Sequence, residues 1–370
     1  MADLFDSETR DILSRWDWGG SIAGVLPYGE GHINTTKCVY VQTADGGSVR
    51  YILQRINTDT FRDPDGLMEN ICRVTEYLRK ILTEQKQDAN RGTMRVVATG
   101  NGKPYYRAAD GGCWRVYTFV EDTICLQTVE TPEDFYASAL AFGNFQRQLA
   151  GYPAETLHET IARFHDTPHR FANFEGALAV DAYDRAAGIN REVKFVQDRK
   201  ADCNHMMNLL SAGELPLRVT HNDTKLNNIL LDRATRKGIC VIDLDTVMPG
   251  LVANDFGDSI RFGANHSAED EQDLSKVNFD ISLFDIYTKG FLQAAGDALT
   301  PLEKDTLPWG AKLMTLECGI RFLTDYLEGD HYFHTNRPSQ NLDRARTQFK
   351  LVQDMENQWT EMCSIVQYYV

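Results

Sequence analysis

Leu217–Leu231 reads LRVTHNDTKLNNILL, and Ile239–Thr246 follows as ICVIDLDT. In each stretch a polar cluster abuts a short aliphatic or β-branched run, and the turn-like Asp232–Gly238 (DRATRKG) separates the two. The pattern predicts a two-strand ribbon that brings Asn228, at the head of one strand, beside Asp243, at the tail of the other. Transfer of a phosphoryl group from a nucleotide requires a carboxylate next to the acceptor hydroxyl and at least two oxygen ligands for a magnesium ion bridging the phosphates. Asp223, Asn228 and Asp243 supply one such set. The structural alternative is a turn or helix cap at Asn222, Asp223 and Thr224, with Asp243 and Asp245 on a solvated strand end.

Working outward, the spacing of His221, Asp223 and Asn228 matches the H-x-D-x-x-x-x-N pattern of a kinase catalytic loop, with Asp243 twenty positions beyond Asp223. Toward the N-terminus, Leu4, Phe5, Ile12, Leu13 and Trp16 recur at approximately helical spacing, with Asp6 and Ser7 as caps, and predict an amphipathic lid on the core. Residues 22–28, 37–43 and 49–56 are short, β-branched or aromatic, and parted by Gly29-Glu30-Gly31 and Asp45-Gly46-Gly47, which predicts a β-meander. Helical spacing returns over 64–88 through Leu67, Ile71, Val74, Leu78 and Leu82, with Pro64 in the first turn. Two strands are expected near 94–99 and 113–120. Beyond Val120 the helices expected are 132–150, 154–165, 176–187 and 190–211, broken by Pro153, Pro168 and Gly188, with further helical pattern over 276–329 and 340–366. The expected class is α+β: a β-rich part over 1–119, a mostly helical part over 120–370, and a hinge at Thr118–Thr123.

Composition excludes several classes. The 370 residues suffice for two domains, and 38 basic against 53 acidic residues leave a net charge of −15, which argues against nucleic acid or an anionic membrane as partner. Hydrophobic residues at 42% are too many for disorder. The cysteines at 38, 72, 113, 125, 203, 240, 318 and 363 form no C-x-x-C pair, so reduced thiols in a cytoplasmic protein are expected. No apolar run reaches membrane-spanning length, and MADLFDSETRDILSRW is acidic where a signal peptide would be basic. Nothing in the pattern specifies an oligomeric state.

THNDTKLNNILLD followed by VIDLDTVMPGLVANDFGDSIRF resembles the aminoglycoside phosphotransferase/choline kinase superfamily. His-Asn-Asp-Thr-Lys with Asp-Leu-Asp-Thr-Val-Met-Pro-Gly is most similar to the N-acetylhexosamine 1-kinases, and the likeness extends to residues 28–34, 53–57, 67–71 and 316–333. The resemblance implies a bilobal protein-kinase-like fold: a small N-terminal sheet lobe with one helix for the nucleotide, and a larger helical lobe for catalysis and the acceptor. It implies ATP as co-substrate, Mg2+ as cofactor, a sugar as small-molecule partner, Asp223 as catalytic base, and Asn228 and Asp243 as metal ligands with Asp245 supporting them. Gly29, Gly31, Asn34 and Thr35 resemble a phosphate-covering loop, in which small residues admit backbone amides to phosphate oxygens. His32 faces either phosphates or sugar. Phe119 and Val120 lie in the hinge that binds adenine through backbone groups. Phe262, Arg321, Asp325 and Tyr332 are expected around the acceptor, with Arg321 and Asp325 four apart on one helical face.

One feature departs from the kinase pattern. The third strand should offer a lysine to the phosphates, yet Tyr51–Asn57 reads YILQRIN. Strand alternation lets only one of Gln54 and Arg55 face inward, and only Arg55 could supply charge; the part of Glu69 as its helix partner stays open. Lys225 either neutralises the transferring phosphoryl group or pairs with a carboxylate. The implied activity is phosphorylation of the anomeric hydroxyl of N-acetylglucosamine or N-acetylgalactosamine. The alternatives are a kinase of the same fold for choline, ethanolamine, homoserine or an aminoglycoside, and a non-catalytic kinase-like nucleotide-binding protein.

Overall fold

The computed structural model describes residues 6–29 and 33–370. Leu4, Phe5, Glu30, Gly31 and His32 therefore lie outside the described residues. A five-stranded antiparallel sheet opens the chain: β1 (Gly20–Pro27), β2 (Thr35–Thr43), β3 (Ser48–Ile56), β4 (Tyr106–Arg107) and β5 (Cys113–Thr118), in the order β1-β2-β3-β5-β4. Helix α1 (Ser7–Leu13) starts where the Asp6 carboxylate accepts the Thr9 N–H at 2.7 Å. Ile12, Leu13, Trp16 and Trp18 then cover the outer face of the sheet, against Val39, Val41, Leu53, Trp114 and Val116.

The inner face meets α2 (Pro64–Glu84), which begins at the cap Asp63 with Pro64 in its first turn. Leu67, Met68, Ile71, Val74 and Leu78 of α2 share one core with Ile56, Cys113 and Tyr117 of the sheet. The segment 94–99 forms no strand; only the single bridge Val96↔Tyr117 survives, because the edge is taken by the β4–β5 hairpin. A short helix α3 (Ala89–Gly92) lies between.

Two small sheets carry the polar clusters. In one, β6 (Thr123–Ile124), β8 (Ile229–Asp232) and β9 (Gly238–Val241) run in the order β6-β8-β9; in the other, β7 (Arg218–Thr220) pairs with β10 (Met248–Gly250). The remaining elements are α4 (Pro132–Leu149), α5 (Thr167–Val180), α6 (Asn190–Gln197), α7 (Lys200–Cys203), α8 (His205–Ser211), α9 (Val252–Gly263), α10 (Ile281–Ala295), α11 (Pro301–Asp305), α12 (Leu307–Leu327), α13 (Gln340–Asn357) and α14 (Trp359–Tyr369).

Local chemistry moved several boundaries. The helix expected at 154–165 is a single 3-10 turn, Ala154–Thr156. Pro168, read as a breaker, stands in the first turn of α5, where Asp166 caps the helix by accepting the His169 N–H at 3.0 Å. The stretch 190–211 divides into three short helices. Helices α9 and α12 cross at backbone contact: a Cβ on Gly257 would meet the Gly310 carbonyl, and one on Gly310 would meet Ala253. This approach seats α9 directly beneath the segment 221–224. Among the described residues no helix is long and apolar enough to cross a membrane.

Candidate active site

Between β7 and β8 the chain leaves the ladder, so His221–Thr224 must find partners for its backbone elsewhere. Side chains satisfy every one. The N–H groups of His221 and Asn222 donate to Asp255 at 2.9 and 2.7 Å, that of Asp223 to His221 Nδ1 at 3.3 Å, and that of Thr224 to Asp258 at 2.9 Å. The carbonyls of His221, Asn222, Asp223 and Thr224 accept from Thr246 Oγ1, His165 Nε2, Asn228 Nδ2 and Ser259 Oγ, at 2.6, 3.2, 2.8 and 2.8 Å. Asp255 and Asp258 are three apart and so share the face of α9 turned to this segment. His221 Nε2 donates to the Ile242 carbonyl at 2.9 Å while Nδ1 accepts, which fixes the Nε2–H tautomer.

This bracing aims Asp223. Its Oδ2 accepts from Asn228 Nδ2 at 3.1 Å, and its Oδ1 pairs with Lys225 Nζ at 2.7 Å. Burial pulls the Lys225 ammonium down, but the Asp223 carboxylate outweighs it and holds the group above its ordinary value. Both hydrogens of the Asn228 amide point at Asp223, which leaves Oδ1 as its free donor atom for a cation. The ladder Ile229↔Val241 and the bond from Ile242 N to the Asn228 carbonyl, at 2.9 Å, bring Asp243 alongside. Asp243 is accessible from the cleft and left-handed, with φ of 60°, as is Asn222 at 63°. Such backbone in a non-glycine residue costs about 1–3 kcal/mol and persists only where the surroundings over-determine it.

Asp243 opens to the cleft on one side only, and desolvation by the protein packed around its carboxyl, followed by the nearby carboxylates of Asp245 and Asp223, pushes it up to about 6. That crowding is the electrostatic signature of a place prepared for a cation. Among the described residues no three His, Cys, Asp or Glu side chains gather closely enough to hold a metal alone. Magnesium does not require them to: it keeps waters and takes one or two protein oxygens together with phosphate. Asn228 Oδ1 and Asp243 fit that demand.

Asp245, expected to support them, is turned to other partners. It is 3% exposed, and Arg115 Nη1 and Nη2 approach its two oxygens at 2.6 and 2.9 Å while Asn34 Nδ2 donates at 2.6 Å. The phosphate-side residues are also redistributed. Thr35 pairs with Arg55 in the β2–β3 register, and alternation puts both on the outer face of the sheet. There Arg55 reaches Asp110 at 2.7 Å, so neither residue faces the nucleotide side. Gln54 is the inward residue, donating to Thr36 Oγ1 at 3.0 Å and accepting from Arg115. Glu69 points away to Arg73 and His158, at 3.2 and 3.0 Å. Gly29 has φ of 76°, as the turn after β1 requires. Asn34 is tied into the site through Asp245 and through the Asn57 N–H, 2.9 Å from its Oδ1.

At the hinge, the Phe119 ring stacks edge-on with Tyr28 and lies under Arg50, and its N–H donates to the Arg50 carbonyl at 3.2 Å. The Val120 carbonyl accepts from Thr123 Oγ1 at 3.0 Å.

On the acceptor side the guanidinium of Arg321 stands 5.4–5.6 Å from the ring centres of Phe164, Tyr332 and Phe333. Its only directed bond among the described residues runs to the Tyr332 hydroxyl, at 3.3 Å. Phe262 is half-buried against the main core. Asp325 is not a pocket wall: it is buried and accepts the N–H groups of His331, Tyr332 and Phe333 at 2.8–3.0 Å, plus Asn341 Nδ2 at 2.8 Å. It folds the loop that presents Tyr332. His165 links this side to the catalytic segment, with Nδ1 3.0 Å from Glu317 and Nε2 on the Asn222 carbonyl.

Sequence reading missed Arg115, Asp255 and Asp258 as members of the site. Asp255 and Asp258 carried a signal, two acids three apart on an otherwise buried helix; Arg115 carried none.

The family model of the phosphotransferase enzyme family matches residues 24–279, more than two thirds of the chain. The chain belongs to that family. This phosphotransferase is similar in fold to a microcompartment-associated aminopropanol kinase (16% identity, TM-score 0.61, 96% of this chain and 97% of that one). It is similar also to an amicoumacin kinase solved with AMP-PNP, Ca2+ and amicoumacin (13%, 0.59, 96% and 94%), and to choline kinase from Cryptosporidium parvum (11%, 0.53, 94% and 91%). The kinase-like α+β fold and a small-molecule phosphotransferase activity with ATP follow from family membership; the acceptor does not.

Proposed function

We propose that this phosphotransferase is a magnesium-dependent kinase that phosphorylates the anomeric hydroxyl of an N-acetylhexosamine, N-acetylglucosamine or N-acetylgalactosamine, to give the sugar 1-phosphate. The observation that carries the acceptor assignment is Arg321, a cation beside three aromatic rings that makes no salt bridge among the described residues. Choline, ethanolamine, aminopropanol and aminoglycosides bring positive charge, which this guanidinium opposes even with the buried Glu317 carboxylate within electrostatic reach. A neutral sugar with an acyl carbonyl meets a donor and flat apolar faces instead.

In this reading Asp223 accepts the hydrogen bond of the acceptor hydroxyl and takes its proton as the oxygen bonds to the γ-phosphorus and the bond to the β–γ bridging oxygen breaks. Lys225 and Asn228 hold the carboxylate so that it presents a fixed lone pair to that hydroxyl. Asn228 and Asp243 would hold Mg2+, which would supply positive charge to neutralise that developing on the leaving group. His32, Phe262, Arg321 and Tyr332 are assigned to the sugar, and Gly29, Gly31, Asn34, Phe119 and Val120 to the nucleotide. We place the division between the nucleotide-binding and catalytic lobes at residues 119 and 120. Eight cysteines, none of them in a disulfide, favour the cytoplasm as the site of action.

Phosphorus NMR of the product from ATP and N-acetylglucosamine tests the assignment, because an anomeric phosphate couples to the anomeric proton. Product phosphorylated at another hydroxyl, or ATP consumption only with choline, ethanolamine or an aminoglycoside, would overturn it. Asp223→Asn should fold normally and lower kcat by about three orders of magnitude or more.

A further inference from the structure

In a protein kinase the third strand carries a lysine paired with a glutamate of the following helix, and the pair must be assembled for phosphoryl transfer. Here neither partner is in place. The inward residue of β3 is Gln54, and Glu69 of α2 lies on the outside with its side chain 52% exposed. The volume is entered from the neighbouring strand. Arg115, the cross-strand partner of Gln54, is 1% exposed. Its Nε and Nη2 donate to Gln54 Oε1 at 3.1 and 2.9 Å, and Nη1 and Nη2 reach Asp245 at 2.6 and 2.9 Å.

We propose that Arg115 does the work of the missing lysine as a positioning residue, by fixing Asp245 and through it the loop 243–246 and Asn34. The proposal rests on the phosphotransferase reading and deepens it. Two features of the geometry set its terms. Nη2 donates to Asp245 Oδ2, Nη1 stands 2.6 Å from Oδ1 and 3.9 Å from Met68 Sδ, and Nε and Nη2 turn to Gln54, so no paired donors are left to grip a phosphate. Asp245 stands two residues from Asp243; stripped of Arg115 its buried negative charge would be left uncompensated, free to compete with Asp243 for the cation and to repel the incoming phosphates. Asn34 shares the same carboxylate at 2.6 Å, so one ion pair sets the metal side and the phosphate side together. Helix α2 supplies no carboxylate to the pair, only the Met68 Sδ that lies 3.9 Å from Arg115 Nη1. It is instead anchored by Asn70 Nδ2 to the carbonyls of Val247 and His158, at 3.0 and 2.8 Å.

Arg115→Met, Arg115→Lys and the double variant Arg115→Met with Asp245→Asn decide the matter on the full-length chain. The measurements are binding of a fluorescent ATP analogue in EDTA, the same titration against Mg2+, kcat and KM with acceptor, and the thermal midpoint. The expected result for Arg115→Met is metal-free nucleotide affinity within about threefold of wild type, a Mg2+ half-saturation raised about tenfold, and kcat reduced with KM for ATP little changed. Arg115→Lys should recover part of the Mg2+ dependence because the charge remains. The double variant removes both buried charges and should regain the thermal midpoint without regaining kcat. Metal-free affinity that falls as far as metal-loaded affinity would make Arg115 a direct phosphate ligand and overturn the proposal. A double variant with wild-type kcat and Mg2+ requirement would overturn it by reducing the network to a structural one. Should wild type itself show no Mg2+-dependent nucleotide binding, the assignment of Asn228 and Asp243 fails, which is a different outcome from variants that match a Mg2+-dependent wild type.

Discussion

Replacing Asp255 by Asn separates charge from geometry at the brace of the catalytic segment. Asp255 is 1% exposed; its Oδ2 accepts from the His221 N–H and from Gln146 Nε2 at 2.9 and 2.6 Å, and its Oδ1 accepts from the Asn222 N–H at 2.7 Å. If the three bonds outweighed burial, the carboxyl would titrate below its ordinary value. It titrates above it: burial pushes it up more than His221, Asn222 and Gln146 pull it down. Loss of the charge is therefore not what makes the substitution costly. The cost comes from the amide, which can place its oxygen at Oδ2 and keep two bonds but then turns an NH2 toward the Asn222 N–H. One buried donor is left unpaired, at about 1–3 kcal/mol.

Asp255→Ala leaves three donors unpaired and should cost more, about 3–5 kcal/mol. Urea unfolding measures both. Because the folded carboxyl titrates high, its contribution to stability is complete below the unfolded carboxylate range and is lost as pH rises through that range toward the folded value. The gap between wild type and Asp255→Asn should therefore narrow as pH rises from about 4. In kinetics the loosened Asn222 should lower kcat with KM for ATP unchanged, since no phosphate-side residue is touched. Asp255→Asn as stable and as fast as wild type, or a gap that widens with pH, would refute the reasoning.

Arg55→Ala removes an exposed pair with Asp110 and a cation–π contact with Trp114 on the outer face, so KM for ATP should stay within about twofold of wild type in steady-state assays. His165→Gln keeps an N–H for the Asn222 carbonyl whereas His165→Ala does not; kcat should fall about tenfold in the alanine variant and be largely rescued in the glutamine one, with thermal midpoints recorded alongside. Asp325→Ala releases the N–H groups of residues 331–333 and should raise KM for the acceptor with KM for ATP unchanged, while limited proteolysis opens the loop near Tyr332.

The reaction class was legible because its chemistry is local in sequence. Asp223 and Asn228 are five residues apart, and the β8–β9 ribbon that brings up Asp243 is a short-range pairing announced by two aliphatic runs and a turn. The meander and α2 were legible for a similar reason, through period-two and period-3.6 burial with Pro64 marking the helix start. The segment 154–165 was misread because apolar spacing without a cap does not nucleate a helix, and the chain there runs through a 3-10 turn and a series of bends and turns.

What only the tertiary structure decided is who partners whom across the cleft. Strand parity allowed Gln54 or Arg55 to face inward, and the choice fell to Gln54 because Leu53 and Arg55 share the face covered by α1. The cation then came from β5, where Arg115 looks in sequence like any half-buried strand residue. Asp245 and Asp325, both read as ligand-binding carboxylates, turned inward to Arg115 and to a loop backbone. A carboxylate's partners are set by what the fold packs within about 3 Å of it, and one-dimensional spacing carries no information on groups more than a hundred residues away, as Arg115 is from Asp245.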